Sequence, residues 1–197
     1  MHVYVATTNA GKMREFRILL AAHGITAESV AGYVGPPEGE TSYETNAALK
    51  ARGLRAALLA AGRREAVIAD DSGLEVEALG GAPGVLTARY GGEGLSWAKR
   101  RAVLLAALRD VPSPQRLARF VCVLHWIDPD GAERHARGAV EGMIAAAERG
   151  DAGFSFDSVF YYPPAQRTFA QMTDEEKNRV SHRTLALAAL LPDRAHA

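Results

Sequence analysis

Two adjacent carboxylates, Asp70 and Asp71, follow directly on the apolar run Val67-Ile68-Ala69. An ionised carboxylate loses solvation beside an apolar interior, so such a pair belongs either to a solvated turn or to a cation site. Asp70-Asp71-Ser72-Gly73 has the composition of an Asx-type turn. It also fits a strand end, where open α/β sheets place their ligands. Upstream, Thr41-Ser42-Tyr43-Glu44 matches a capping box, in which Glu44 bonds back to Thr41. A carboxylate in the first turn of a helix can equally point across a cleft. Three carboxylates from two elements suit Mg²⁺, which takes oxygen ligands, keeps several waters and is commonly held by one or two carboxylates plus substrate phosphates.

Two further groups have chemistry of their own. Thr7-Thr8-Asn9-Ala10-Gly11-Lys12 has the parts of an anion cradle: small residues that let backbone N–H groups approach, hydroxyls, and a lysine at a helix start. It lacks the Walker pattern, and a helix cap at Asn9 with a solvated Lys12 explains the same residues. The stretch Phe154-Ser155-Phe156-Asp157 sets two aromatics at i and i+2 beside an acid. The rings could flank a flat ligand, base stacking being worth roughly 1–3 kcal/mol, or they could fill the core. Lys177, Ser181, His182 and Arg183 gather donors ahead of an apolar helix. Basic groups at a helix N-terminus oppose its dipole, so they call for an anionic or carbonyl partner.

These groups need elements to hold them. His2 to Ala6 reads as a strand, and Met13, Phe16, Leu19 and Leu20 recur at helical spacing towards a stop at Gly24. An Ala-rich helix opens at Thr41 and runs to about Gly62, with Ala47, Ala51, Leu54 and Leu58 inside. Val67 to Ala69 is a short buried strand, and a helix begins at Ser96 and ends near Arg109. Arg119–Ile127 and Arg134–Ile144 form a hairpin through Asp128-Pro129-Asp130-Gly131. The Gly-, Pro- and aromatic-rich segment 148–164 reads as a binding loop. A short Thr168–Met172 strand follows, and Thr173 to Glu176 starts the last helical region. Helices interleaved with both parallel-type and hairpin-type strands make a mixed α/β fold.

Composition narrows the partners. Lys plus Arg and Asp plus Glu both number 23, so nothing suggests an electrostatic grip on nucleic acid or an anionic membrane. With 197 residues, 48% of them hydrophobic, the chain can bury a sizeable core. Cys122 is the only cysteine, and the six histidines lack metal-ligand spacing. No signal peptide or run of ~20 apolar residues is read, so a cytoplasmic protein is expected.

All four stretches, in this order, resemble the inosine triphosphate pyrophosphatase family. The resemblance runs from about Val3 to about Leu191, and ADDSGLEVEALGGAPGVLTARY (69–90) and EKNRVSHR (176–183) carry most of it. It implies a single ITPase-like α/β domain over residues 1–197, with an elongated mixed β-sheet flanked by helices and two lobes around a central cleft. It also implies a homodimer that hydrolyses ITP, dITP and XTP to the monophosphate and pyrophosphate with Mg²⁺. Carried over by position, Thr7, Thr8, Asn9, Ala10, Gly11 and Lys12 contact the triphosphate, and Glu44 and Asp71 hold the metal. Asp71 is also the base that activates water, Asp70 its acidic support, and Ser72 a substrate contact. Phe154, Ser155 and Phe156 hold the purine, its ring sandwiched by the two Phe side chains, with Asp157, Lys177, Ser181, His182 and Arg183 at its edge or sugar.

The chain departs from the family in two loops. The first usually reads Thr-Gly-Asn and here has Thr8 at the middle position, where a β-branched residue resists positive φ. The second usually reads Phe-Gly-Tyr/Trp-Asp-Pro and here is Phe154-Ser155-Phe156-Asp157-Ser158, so Phe156 keeps a stacking face without a polar tip. The altered loop keeps open a pyrophosphatase for another modified nucleotide. A regulator that binds nucleotide without hydrolysis is the alternative from a different class.

Overall fold

In the computed structural model of the chain, residues 1–37, 39 and 42–191 are described. Seven strands form one sheet: β1 (His2–Val5), β2 (Thr26–Glu28), β3 (Ala66–Val76), β4 (Leu117–Ile127), β5 (Glu133–Ile144), β6 (Phe160–Tyr162) and β7 (Arg167–Thr168). Their order is β2-β1-β3-β4-β5-β6-β7. β1 runs parallel to both β2 and β3, whereas β5–β6 and β6–β7 are antiparallel, so the sheet is mixed. Among the described residues, five helices accompany it: α1 (Ala10–Ala21), α2 (Tyr43–Ala60), α3 (Trp97–Ala107), α4 (Asp174–Val180) and α5 (His182–Leu190).

The helix starts follow from local chemistry. Asn9, Ser42, Ser96 and Thr173 each accept a backbone N–H from three residues on, satisfying a donor that the first helical turn leaves unpaired. At Thr173 the reciprocal bond from the Glu176 side chain completes a capping box. The expected box at Thr41 does not form that way. Ser42 is the N-cap of α2, Glu44 stands in the first turn, and Thr41 lies outside the described residues. The expected Thr168–Met172 strand is also shorter: β7 ends at Thr168, and Phe169–Gln171 is a 3-10 turn capped reciprocally by Thr168 and Gln171.

The chain divides into two compact units. The first comprises Met1–Asp71, Cys122–Gly138 and Arg183–Ala197; the second comprises Ser72–Val121 and Ala139–His182. Each has its own apolar core. In the first, Phe16, Leu20, Ile25, Ile68, Leu124, Trp126 and Leu187 pack together, and a smaller cluster joins Ala51, Leu54 and Leu58 of α2 to Tyr4, Val67 and Ala69. In the second, Leu74, Leu104, Phe120, Ile144, Phe156, Phe160 and Phe169 make the core.

The largest departure from expectation is β3. The short strand expected to stop before the acids instead runs through them for 11 residues, from Ala66 to Val76. The Gly-rich loop beyond it is pinned back onto the strand: the Thr87 hydroxyl accepts the Leu74 N–H at 2.8 Å and donates to the Gly84 carbonyl at 2.6 Å.

Candidate active site

The pleat of β3 explains how two neighbouring carboxylates can be buried. Successive side chains in a strand point to opposite faces, so Asp70 and Asp71 do not share one environment. Both are buried, at 1% and 5% exposure. The Asp70 Oδ2 accepts Lys12 Nζ at 2.9 Å and an Arg183 guanidinium nitrogen at 2.9 Å. Burial by itself would raise this carboxyl, but Lys12, Arg183 and Lys50 outweigh it and hold Asp70 well below the usual carboxylate range. Asp71 accepts Lys50 Nζ at 2.9 Å and the Asn46 amide at 3.0 Å. For Asp71 burial wins: its carboxyl is raised, with Lys50, Lys12 and Asn46 offsetting only part of the desolvation. One acid is thereby a fixed anion and its neighbour a better proton acceptor, the pattern that separates roles in acid–base sites.

The phosphate-type loop is ordered by its own polar residues. The Thr7 hydroxyl accepts the Asn9 N–H at 3.2 Å, and the Asn9 side chain accepts the Lys12 N–H at 3.0 Å. Ala10, Gly11 and Lys12 form the first turn of α1. Thr8 is exposed and is not among the non-glycine residues at positive φ, so its β-branch meets no strain there.

Arg183 finds within the protein the anionic partners that its place at a helix N-terminus called for. Its guanidinium is 1% exposed, bridges Asp70 and Glu15, and lies 5.5 Å from the Phe16 ring centre. Burial opposes its charge, yet Asp70 and Glu15 raise its pKa, so it stays protonated. The structure thus gives Arg183 two carboxylate partners where a base edge was expected. Glu44 pairs with Arg137 at 3.1 Å, and both side chains are about half exposed at 45%.

The second unit holds the aromatic loop. Asp157 Oδ2 accepts both the Phe154 N–H at 2.8 Å and Lys177 Nζ at 2.6 Å. Lys177 Nζ lies 4.7 Å from the Phe154 ring centre and 5.7 Å from that of Phe169. Gly153, at φ 73°, permits this closure, because a Cβ there would collide with the Asp157 carboxylate. Phe154 is partly exposed. Phe156 is not: it is 0% exposed and packs edge-on against Trp97 at 5.6 Å and Tyr90 at 6.5 Å. Of the two rings, Phe154 is the one partly open in this structure, while Phe156 packs as a core side chain, burial of an all-carbon ring being favourable and a Phe having no polar tip to draw it to the surface. His182 stacks on Phe120 at 5.0 Å, Ser181 is fully buried, and Ser72 continues β3 partly exposed.

Sequence reading missed Lys50, Asn46 and Glu15. Each had a signal. Lys50 falls at helical spacing inside the stripe Ala47, Ala51, Leu54, and Glu15 stands four residues before Leu19 on the buried face of α1. A charge placed in an apolar stripe requires a buried partner. Among the described residues, no group of three or more His, Cys, Asp or Glu side chains is set to hold a metal. Nor is any helix long and apolar enough to cross a membrane.

Comparison with known proteins gives the family and the fold. The Ham1 family model matches residues 3–193. A dITP/XTP pyrophosphatase of Exiguobacterium sibiricum is 44% identical, over 96% of this chain and 95% of that protein. One from Thermus thermophilus is 46% identical, over 97% of this chain and 90% of that protein. Among solved structures, a HAM1 protein from Coxiella burnetii superposes with a TM-score of 0.83 at 34% identity, covering 100% of both chains.

Proposed function

Because the chain belongs to the Ham1 family, we propose that it is a nucleoside-triphosphate pyrophosphatase that hydrolyses dITP, ITP and XTP to the monophosphate and pyrophosphate, clearing deaminated purines from the nucleotide pool. The observation that carries the reading is the family match over residues 3–193, supported by the arrangement at the two acids, where Lys12 and Arg183 converge on one oxygen of Asp70 while Lys50 and Asn46 hold Asp71. In this reading Asp71 takes a proton from water. The water oxygen attacks the α-phosphorus, the bond from that phosphorus to the bridging oxygen breaks, and pyrophosphate leaves. Lys12 and the first-turn N–H groups of α1 draw the polyphosphate and offset its growing charge.

The chemistry of the donors suits Mg²⁺, which takes oxygen ligands, although in this structure the Asp71 oxygens are engaged by Lys50 and Asn46 and would have to exchange these partners for the ion. Glu44 and Asp71 are oxygen donors on the same unit, and Glu44 is half exposed and held by an exchangeable ion pair. Two carboxylates leave the remaining positions to water and phosphate oxygens. When bound, the ion neutralises polyphosphate charge and acidifies a water. In the second unit Phe154 offers the stacking face, with Lys177 and Asp157 beside it. A homodimer acting in the cytoplasm completes the proposal, on the strength of the family resemblance; sedimentation velocity tests the first part.

The decisive test is pyrophosphate release from dITP, XTP, dATP and dGTP, with Mg²⁺ and with EDTA. The deaminated substrates are expected to turn over about 100-fold faster or more, because a buried polar site penalises the wrong hydrogen-bond pattern steeply. EDTA is expected to abolish release. Equal rates on all four substrates would overturn the proposal. A second reading, a pyrophosphatase for another modified nucleotide, is favoured by the withdrawal of Phe156 into the core. Adding modified pyrimidine triphosphates to the same panel decides between the two.

A further inference from the structure

We propose that Arg101 and Glu148 form a brace that positions the Phe154 loop from outside; the proposal rests on reading that loop as the base-binding segment. Ser155 has φ 60°, in the left-handed region that favours glycine, and it shares that distinction with Gln166 alone among the described non-glycine residues. A serine in this conformation relaxes to negative φ unless its neighbours hold it. The Arg101 guanidinium donates to the Ser155 carbonyl at 2.9 Å. Its Nε sits 2.7 Å from Glu148 Oε2, and that same oxygen accepts the Ser158 hydroxyl at 3.0 Å. One ion pair therefore grips the loop at two points, Ser155 and Ser158.

The brace is placed to hold a shape and not to touch a ligand. Arg101 comes from α3 and is 18% exposed at its side chain. Phe154 is anchored separately, through its N–H on Asp157. The Phe154 carbonyl also accepts the Asp157 N–H at 3.1 Å, so with the Ser155 carbonyl released this one turn bond is left to resist the relaxation of Ser155, and the stacking ring shifts as the turn loosens. Arg101 and Glu148 are thus positioning residues that act through Ser155 and Ser158.

The test measures five quantities for wild type, Arg101→Gln, Glu148→Gln, Ser155→Gly and the double variant Arg101→Gln/Ser155→Gly. They are KM and kcat for pyrophosphate release from dITP, inhibition by deoxyinosine monophosphate, inhibition by inorganic pyrophosphate, and Tm. Arg101→Gln is expected to raise KM and the monophosphate inhibition constant about tenfold, as a misplaced stacking face forfeits much of its base contact. Its kcat and its inhibition by pyrophosphate, which carries no base, are expected to stay within about twofold of wild type. Glu148→Gln, an isosteric change at a more exposed position, moves the same two constants in the same direction by less. The double variant is expected to recover most of the loss, because glycine keeps φ 60° without a brace.

A double variant no better than Arg101→Gln overturns the proposal, as does equal weakening of pyrophosphate and monophosphate, or a loss confined to kcat. Wild-type activity on dITP with an Arg101→Gln variant indistinguishable from it overturns the brace alone. A wild type that releases no pyrophosphate from dITP overturns the functional reading and the brace with it.

Discussion

Asp70 and Asp71 are chemically identical and one residue apart, yet their surroundings make them different reagents. Two cations converge on a single oxygen of Asp70, so no proton competes for it near neutrality. Asp71 has one lysine and one amide against the same kind of burial, and its carboxyl rises. Asp71→Asn is expected to lower kcat by roughly 10²–10⁴-fold, the usual range for a positioned general base, with an unchanged circular dichroism spectrum. The pH profile supplies a finer check. Asp71 acts only when ionised, so activity falls as pH drops through its pKa, and Lys50 pulls that pKa down. Lys50→Met removes the pull. The acid limb of kcat/KM in the variant is expected to move to higher pH; a limb that stays in place would separate Lys50 from the Asp71 titration.

The elements work because each delivers a side chain that its own periodicity would hide. β3 carries buried residues on both faces, which lets it hand one acid to each side. α1 and α2 each bring a charge inward on an otherwise apolar stripe, Glu15 and Lys50. The aromatic loop is laced by backbone bonds, among them the Arg149 N–H to the Ser158 carbonyl and the Ala170 N–H to the Asp157 carbonyl, and the Asp157 carboxylate adds its bonds to the Phe154 N–H and Lys177. Gly153→Ala puts a methyl group against that carboxylate at a positive φ. The variant is expected to raise KM for dITP about tenfold and to lower Tm by several degrees, the two measured on the same preparation.

At the scale of the whole chain, buried charge is balanced within the first unit. Lys12, Lys50 and Arg183 face Asp70, Asp71 and Glu15 there, all of them contributed by that unit. Removing one partner from such a set leaves an uncompensated buried charge, at about 3–5 kcal/mol. Arg183→Met is accordingly expected to lower the urea midpoint with little change in slope. Its deficit relative to wild type is expected to shrink in acid. Asp70 is depressed in the folded protein, so the stability it confers is present above the ordinary carboxylate range and is lost as pH falls through the folded value.

Much of this was legible without coordinates. Local rules sufficed for the caps at Asn9, Ser96 and Thr173, because a cap is settled by a side chain and the N–H three residues on. The turn after Ile127 was legible for the same reason. The motifs around Asp71, Lys12 and Lys177 were visible as chemistry and as family resemblance, since residue identity survives where packing details do not. What sequence could not supply was pairing across distance. Nothing local reveals that Arg183 lies against Glu15, 168 residues away, that β3 continues through two acids, or that Phe156 turns into the core while Phe154 does not. Those outcomes depend on which cations and apolar surfaces the fold brings together, and desolvation is settled only there. Sequence alone determined which groups could do the chemistry; tertiary structure decided which cations each carboxylate meets and which of the two rings is buried, because both depend on residues far apart in the chain.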